Sequence, residues 1–256
     1  VTELPAWIAD AIGPVSDVEP LPVGDSGNVC FALTAQRERW FVKWATTPRA
    51  VDGLRRAATV HYTVQHPAIL PLESVLRSVE GTALLYPWFD GASLYAPSPK
   101  RARAKSAPGR FRALPLDERL AAIDAVFDAH VALAAAGFVS SDFYDGSLLY
   151  DVERRQVALI DLDEYRLGPF VTVEPPYGSK RFMAPEEQAV GGTLDARTTV
   201  FHLARLASIL LDTGDDTGAW SGPPAAHPVA LHGQSLAPDQ RFPDVAAFVE
   251  AWRAAR

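Results

Sequence analysis

The hydrophobic pattern of this chain changes period once, and that change limits it to folds joining a sheet-built part to a helix-built part. Up to about residue 88 the apolar residues fall in short runs rich in β-branched and aromatic side chains. Two of these are 28–34 (Asn-Val-Cys-Phe-Ala-Leu-Thr) and 39–45 (Arg-Trp-Phe-Val-Lys-Trp-Ala), joined by a polar turn at 35–38. Such composition suits a pleated, half-buried surface. Runs 69–76 and 82–88 supply two further strands. Residues 52–65 read as a helix that stops before His66-Pro67, because the residue ahead of a proline avoids the α region. Beyond residue 112 the period is helical: Leu116, Leu120, Ile123, Phe127, Val131 and Ala134 recur every three or four positions. Asp117 and Glu118 stand in the first turn, where the helix dipole favours acids, and Gly137 fits the end. Strand-like runs follow at 148–152 and 156–162. Segment 200–211 is apolar nearly all round, as in a buried helix, and 248–256 closes the chain as an amphipathic helix. The expected fold class is α+β: a small antiparallel β-sheet lobe with one helix over residues 1–88, and a larger, mainly helical lobe over 89–256.

Composition removes several alternatives. With 48% hydrophobic and 21% charged residues, disordered, collagenous and coiled-coil classes are poor fits. No apolar run reaches the ~18 residues of a membrane helix, so no membrane partner is expected. The opening Val-Thr-Glu-Leu-Pro lacks the basic-then-apolar order of a secretory signal. The single cysteine, Cys30, cannot pair internally and reads as a small buried hydrophobe. A cytoplasmic protein is the expectation. The net charge of −7 argues against generic nucleic-acid binding. One stretch runs the other way: Lys100, Arg101, Arg103, Lys105, Arg110 and Arg112 occur with no acid among them. With Pro97, Pro99, Pro108 and Gly109 nearby, it reads as a mobile loop, either simply solvated or docking an acidic partner.

Two carboxylates carry the chemistry. Asp142 opens Asp-Phe-Tyr-Asp-Gly-Ser-Leu-Leu-Tyr-Asp after a helix and before a strand, and Leu-Ile-Asp161-Leu-Asp163 ends the next strand. Acids so placed suit phosphoryl transfer, one orienting a hydroxyl and the other holding Mg²⁺ on phosphates. Aspartates in turns are common, so the pair gains weight only from the rest of the chain.

The rest of the chain, in order, resembles the bacterial serine/threonine protein kinases. Gly24-Asp-Ser26-Gly27-Asn-Val29 is similar to a degenerate Gly-rich loop, and Phe41-Val42-Lys43 to the strand whose lysine meets the nucleotide phosphates. His66-Pro67 resembles the turn after the regulatory helix. Tyr86-Pro-Trp88-Phe89-Asp-Gly-Ala-Ser93 resembles gatekeeper and hinge, with Trp88 and Phe89 offering backbone groups to adenine. Tyr177-Gly-Ser-Lys-Arg-Phe-Met-Ala184-Pro185-Glu186 is similar to the end of an activation segment. Leu194 to Leu203 is like the start of the buried lobe helix, and Pro238-Asp-Gln-Arg241 is like the motif whose arginine pairs with that glutamate. The resemblance implies a two-lobed protein-kinase-like fold and an ATP- and Mg²⁺-dependent kinase acting on protein Ser/Thr. It assigns Asp142 and Lys43 to catalysis. Gly24, Ser26, Gly27, Lys43, Tyr86, Trp88, Phe89 and Ser93 would hold the nucleotide, and Asp161, Ser147 and Asp163 the metal. Glu186 and Arg241 would form a structural ion pair.

Departures from the family pattern define an atypical site. Ser147 stands where the family has a metal-binding asparagine, and Asp163 replaces the glycine of Asp-Phe-Gly. Ala57 occupies the position of the helix glutamate that would hold Lys43. Ser140-Ser141 replace the His-Arg before the catalytic aspartate, and Thr199 the buried aspartate that supports that loop; losing both halves together implies a rebuilt support. Without that arginine, a phosphate on Thr172 or Ser179 has no usual partner, so no such switch is expected. Two other readings remain: a small-molecule kinase resembling the aminoglycoside phosphotransferases, since Tyr144 replaces a lysine, and a nucleotide-binding pseudokinase scaffold. The acceptor would accordingly be a protein or a small hydroxyl-bearing molecule. The six histidines show no metal spacing and read as packing, as do Trp40 and Trp44.

Overall fold

The computed structural model describes residues 3–22, 27–95, 105–173, 178–188, 190–214 and 216–256. The chain divides into two compact units, one of residues 1–65 and 70–90, the other of 66–69 and 91–256. The short His66–Ile69 piece thus joins the second unit. There Ala68 accepts from the Leu159 N–H, and Ile69 bridges Leu159.

In the first unit, α1 (Ala6–Ile12) precedes β1 (Val15–Pro20), β2 (Val29–Ala35) and β3 (Glu38–Ala45), then α2 (Pro48–Thr63), β4 (Ser74–Ser78) and β5 (Gly81–Pro87). The strands form one antiparallel sheet in the order β1-β2-β3-β5-β4. Alternation along β3 sends Val42 to one face and Lys43 to the other. On the Val42 face, Ile8 of α1 packs with Phe31, Leu33, Ala35, Val42, Ala83 and Leu85; Trp40 and Trp44 lean on this group as packing residues. On the other face His61 of α2 meets the Tyr86 ring. Two features differ from expectation. The unit carries two helices, because the short α1 covers a sheet face with Ile8. And α2 begins four residues before the expected start, because Thr47 caps the Ala50 N–H (3.3 Å) and Pro48 fits the first turn.

The second unit is built on α4 (Leu116–Ala135), preceded by β6 (Ala92–Ser93) and α3 (Ala107–Arg112). Then come β7 (Phe138–Val139), β8 (Leu148–Asp151), β9 (Gln156–Leu159), β10 (Arg166–Leu167), β11 (Phe170–Val171) and β12 (Thr193–Leu194). Helices α5 (Ala196–Leu210), α6 (Ala226–Gly233) and α7 (Val245–Ala254) complete it. Phe127 of α4 sets its ring against Phe248 and Trp252 of α7, and α5 is buried over most of its length. The basic stretch is a helix in part: Ser106 caps the Gly109 N–H (3.2 Å), and Phe111 is fully buried against Tyr150. The expected mobile loop is therefore corrected for residues 107–112; residues 100–104 lie outside the described residues. Among the described residues no helix is long and apolar enough to cross a membrane.

Candidate functional site

The Asp142 and Asp161 loops lean on one buried imidazole, His130 of α4. The Val126 carbonyl can only accept, so Nδ1 carries the proton and donates to it (2.8 Å), leaving Nε2 facing the Tyr165 hydroxyl at 2.8 Å. Burial lowers the His130 pKa to about 4, with His202 and His66 adding to the effect against the pull of the Val126 carbonyl. The ring is therefore neutral at pH 7. Phe143, next after Asp142, sets its ring edge on His130 at 4.7 Å and is itself buried. Tyr165, four residues after Asp161, is tied to the same ring. Both aspartates take left-handed backbone, Asp142 at φ 58° and Asp161 at φ 63°, a conformation aspartate tolerates better than most residues.

Hairpin β8–β9 brings Ser147 beside Asp161. Leu148 pairs with Leu159, and one step further the Ile160 N–H donates to the Ser147 carbonyl (2.9 Å). Ser147 is buried, Asp161 is exposed at the hairpin mouth, and Asp163 is buried two residues on. Burial raises the pKa of both Tyr144 and Tyr165, and the charges of Asp161 and Asp142 raise both further. Each phenol thus lies within electrostatic reach of both carboxylates. Ser93 lies on β6 paired with Leu149, its hydroxyl accepting from the Tyr95 N–H (3.2 Å), and the Tyr95 ring meets Tyr144 edge-on at 5.6 Å.

The support beneath Asp142 is a buried polar chain. Thr199 Oγ1 accepts from the Ser140 N–H (3.1 Å) and lies 3.2 Å from Ser140 Oγ. Ser140 Oγ is 2.8 Å from His202 Nδ1, and His202 Nε2 is 2.6 Å from Glu187 Oε2, which also accepts from the Ala184 N–H (2.7 Å). Ser140 and Thr199, singled out as a replaced pair, are thus bonded to each other. A serine, a histidine and an acid in line have the composition of a hydrolytic triad. Ser140, however, has 0% exposure, so no scissile bond reaches its oxygen. The chain is a tie between the Asp142 loop, α5 and residues 184–187.

Segment 178–188 lies against this loop. Gly178 has φ +110°, and a Cβ there would stand 1.9 Å from Asp142 Oδ1, so only glycine fits. Arg181 Nη2 reaches the buried Asp145 Oδ2 at 2.9 Å. Glu186 and Arg241 form the expected ion pair, bidentate at 2.7 and 2.9 Å. Arg241 also donates to the carbonyls of Ser235, Arg197 and Leu236. Burial would raise the Glu186 carboxyl, but Arg241 and Thr198 outweigh it and hold it below the usual carboxylate range.

In the first unit, Lys43 sits mid-sheet between Cys30 of β2 and Leu84 of β5 and is buried. Ala57 is fully buried on α2 and offers it no carboxylate; Asp52, the one acid of α2, pairs with Arg55 (3.0 Å). Tyr86 lies on the Lys43 face, its hydroxyl 3.4 Å from His61 Nε2; burial lowers the His61 pKa to about 4. The Trp88 N–H donates to the Arg39 carbonyl (3.0 Å), and the Arg39 guanidinium lies 3.7 Å over the Trp88 ring. Of the Trp88 backbone groups expected to serve adenine, the N–H is thus used within the sheet. Phe89 is half-buried, and Gly27 has φ +75°. Gly24 and Ser26 lie outside the described residues.

Among the described residues no group of three or more His, Cys, Asp or Glu side chains is arranged to hold a metal. Ser147, whose Oγ accepts from the Tyr144 N–H (3.5 Å), and Asp161, next after Ile160 opposite it on the hairpin, carry the oxygen donors that Mg²⁺ prefers. Glu187, His202, Asp145 and Arg181 were not singled out by sequence. Their partners lie 15 to 62 positions away, and no local pattern marks such contacts. No protein-family model and no curated protein matches this chain.

Proposed function

We propose that this protein is an ATP-dependent phosphotransferase of protein-kinase-like fold, acting on a serine or threonine hydroxyl of a protein. The observation that carries the reading is that the Asp142 and Asp161 loops are fixed to one buried histidine, through Phe143 and Tyr165, with Ser147 opposite Ile160 on hairpin β8–β9, one residue from Asp161. The sheet-plus-helix first unit with a buried lysine on β3 supports it.

In this reading Asp161, Ser147 and Asp163 would hold Mg²⁺, which when bound would offset the negative charge of the phosphates. Asp142 accepts the hydrogen bond of the acceptor hydroxyl and aims its oxygen. As that oxygen bonds to the γ-phosphorus and the bond to ADP breaks, its proton passes toward the Asp142 carboxylate. As the family resemblance implies, Lys43 would meet the nucleotide phosphates, and Tyr86, Trp88 and Phe89 would serve adenine. The Ser140–Thr199–His202–Glu187 chain argues for a rebuilt support and against decay toward a scaffold, because each buried polar group has been given a partner.

The test is transfer of the γ-phosphate from MgATP, to water or to a Ser/Thr peptide library. Asp142→Ala should lower kcat while leaving ATP affinity nearly unchanged, as for a group acting in the transition state. A wild-type protein that binds MgATP but transfers nothing would instead favour the scaffold reading.

A further inference from the structure

Asp145 and Arg181 stand out because neither belongs to the proposed chemistry, yet they join the Asp142 loop to the segment covering it. Asp145 is 1% exposed and lies three residues after Asp142. Its Oδ2 is 2.9 Å from Arg181 Nη2. Arg181 is itself held from behind: its carbonyl accepts from Arg205 Nε (2.7 Å), and Arg205 pairs with Asp216 (2.6 Å). Around it the backbone turns tightly, with the N–H groups of Phe182 and Met183 both donating to the Ser179 carbonyl. On the other flank, Ser140 is tied through His202 and Glu187 to Ala184. Asp142 is therefore bracketed two residues before and three after by bonds to one segment, and Gly178 of that segment touches its carboxylate.

We propose that the Asp145–Arg181 pair is a built-in latch that positions Asp142, so that residues 178–188 hold their working place with no covalent modification. The proposal rests on the phosphotransferase reading for its catalytic consequence, though not for the latch itself. A cation–carboxylate contact with one partner fully desolvated is geometrically demanding and expensive to break. It can therefore give a loop the fixed position that other proteins obtain by adding a phosphate opposite an arginine. The neighbouring Thr172 is already committed. Its hydroxyl accepts from the Gly192 N–H (3.1 Å), and its backbone pairs with Gly191 and Gly192.

The experiment compares wild type, Arg181→Gln, Arg181→Lys and the double variant Asp145→Asn/Arg181→Gln, which leaves no lone buried charge if the single one folds poorly. Hydrogen exchange is read on peptides covering 178–188, with α4 and α5 as the fold control, and phosphate release from MgATP is measured alongside. The latch predicts lost protection at 178–188 in Arg181→Gln and in the double variant, with α4 and α5 unchanged. It predicts kcat lower by about 100-fold, the scale of a misplaced catalytic group, with little change in KM for ATP. Arg181→Lys should restore protection and most of kcat, and phosphatase treatment of the wild type should change nothing. Unchanged protection in both Gln-bearing variants, or phosphatase-sensitive activity, overturns the latch. If wild type transfers no phosphate, the function reading fails while the exchange data still decide the latch.

Discussion

Replacing Arg241 with methionine removes a guanidinium with no side-chain exposure that makes two bonds to Glu186 and three to backbone carbonyls. Methionine fills much of the volume, so the loss is chiefly electrostatic. Glu186 is left with Thr198 as its neighbouring donor (2.8 Å) in a site that is 11% exposed. Breaking one side of a buried pair costs about 3–5 kcal/mol. In a chain of this length each kcal/mol moves Tm by about 2–4 °C, so the expected fall is about 6–20 °C. The pH dependence carries a second signature. In the native protein Glu186 is held below its ordinary 4.5, so its contribution is present above that value and is lost as pH falls through the depressed pKa. In the variant the raising effect of burial is opposed only by the Thr198 hydroxyl and the Glu186 backbone N–H, and protonation relieves the lone charge. The deficit relative to wild type should therefore be largest at pH 7 and should shrink as pH is lowered toward 4.5. Urea titrations at pH 7 and pH 5, with Arg241→Met/Glu186→Met as the neutral reference, read both quantities. A deficit under about 1 kcal/mol, the size of an exposed pair, would refute the reasoning, as would a deficit that grows on acidification.

Gly178→Ala should lower Tm modestly, since φ +110° strains an alanine, and should reduce phosphate transfer by far more than that loss accounts for, because the added methyl falls on the Asp142 carboxylate; steady-state kinetics beside a melting curve checks this. His130 has its pKa lowered from 6.5 to about 4, so the unfolded chain binds the proton first on acidification. Its contribution, about 3 kcal/mol by linkage, is whole above pH 6.5 and lost as pH falls to 4. His130→Gln should flatten that part of the stability–pH curve, and an unchanged slope would remove His130 as the cause.

Strands β2 and β3 and helix α4 lie within a residue or so of where periodicity placed them, because composition and period agree there. Sequence reading fails where short elements depend on a single anchor. Helix α1 rests on Ile8 and α3 on Phe111, each too brief for a period to show. The expected strand at 69–76 begins only at Ser74. Ile69 and Ala68 instead bond to Leu159 within the second unit, to which 66–69 belong, and Pro71 lacks the N–H a ladder needs. In the site, the spacing of Asp142 and Asp161 announces a loop, a hairpin and a second acid, and Ser140 and Thr199 were legible together as a replaced pair. The roles of His202, Glu187, Asp145 and Arg181 were not, since a buried hydrogen bond across tens of residues leaves no periodicity in the chain.

Calorimetric titration of MgATP into wild type, Lys43→Met and Asp161→Ala tests the central claim most directly, since the proposed phosphotransferase reading assigns each of these side chains to nucleotide binding. Binding in the wild type that weakens in both variants is the predicted result. Absence of binding to the wild type at millimolar ATP, or equal affinity in all three proteins, would contradict it.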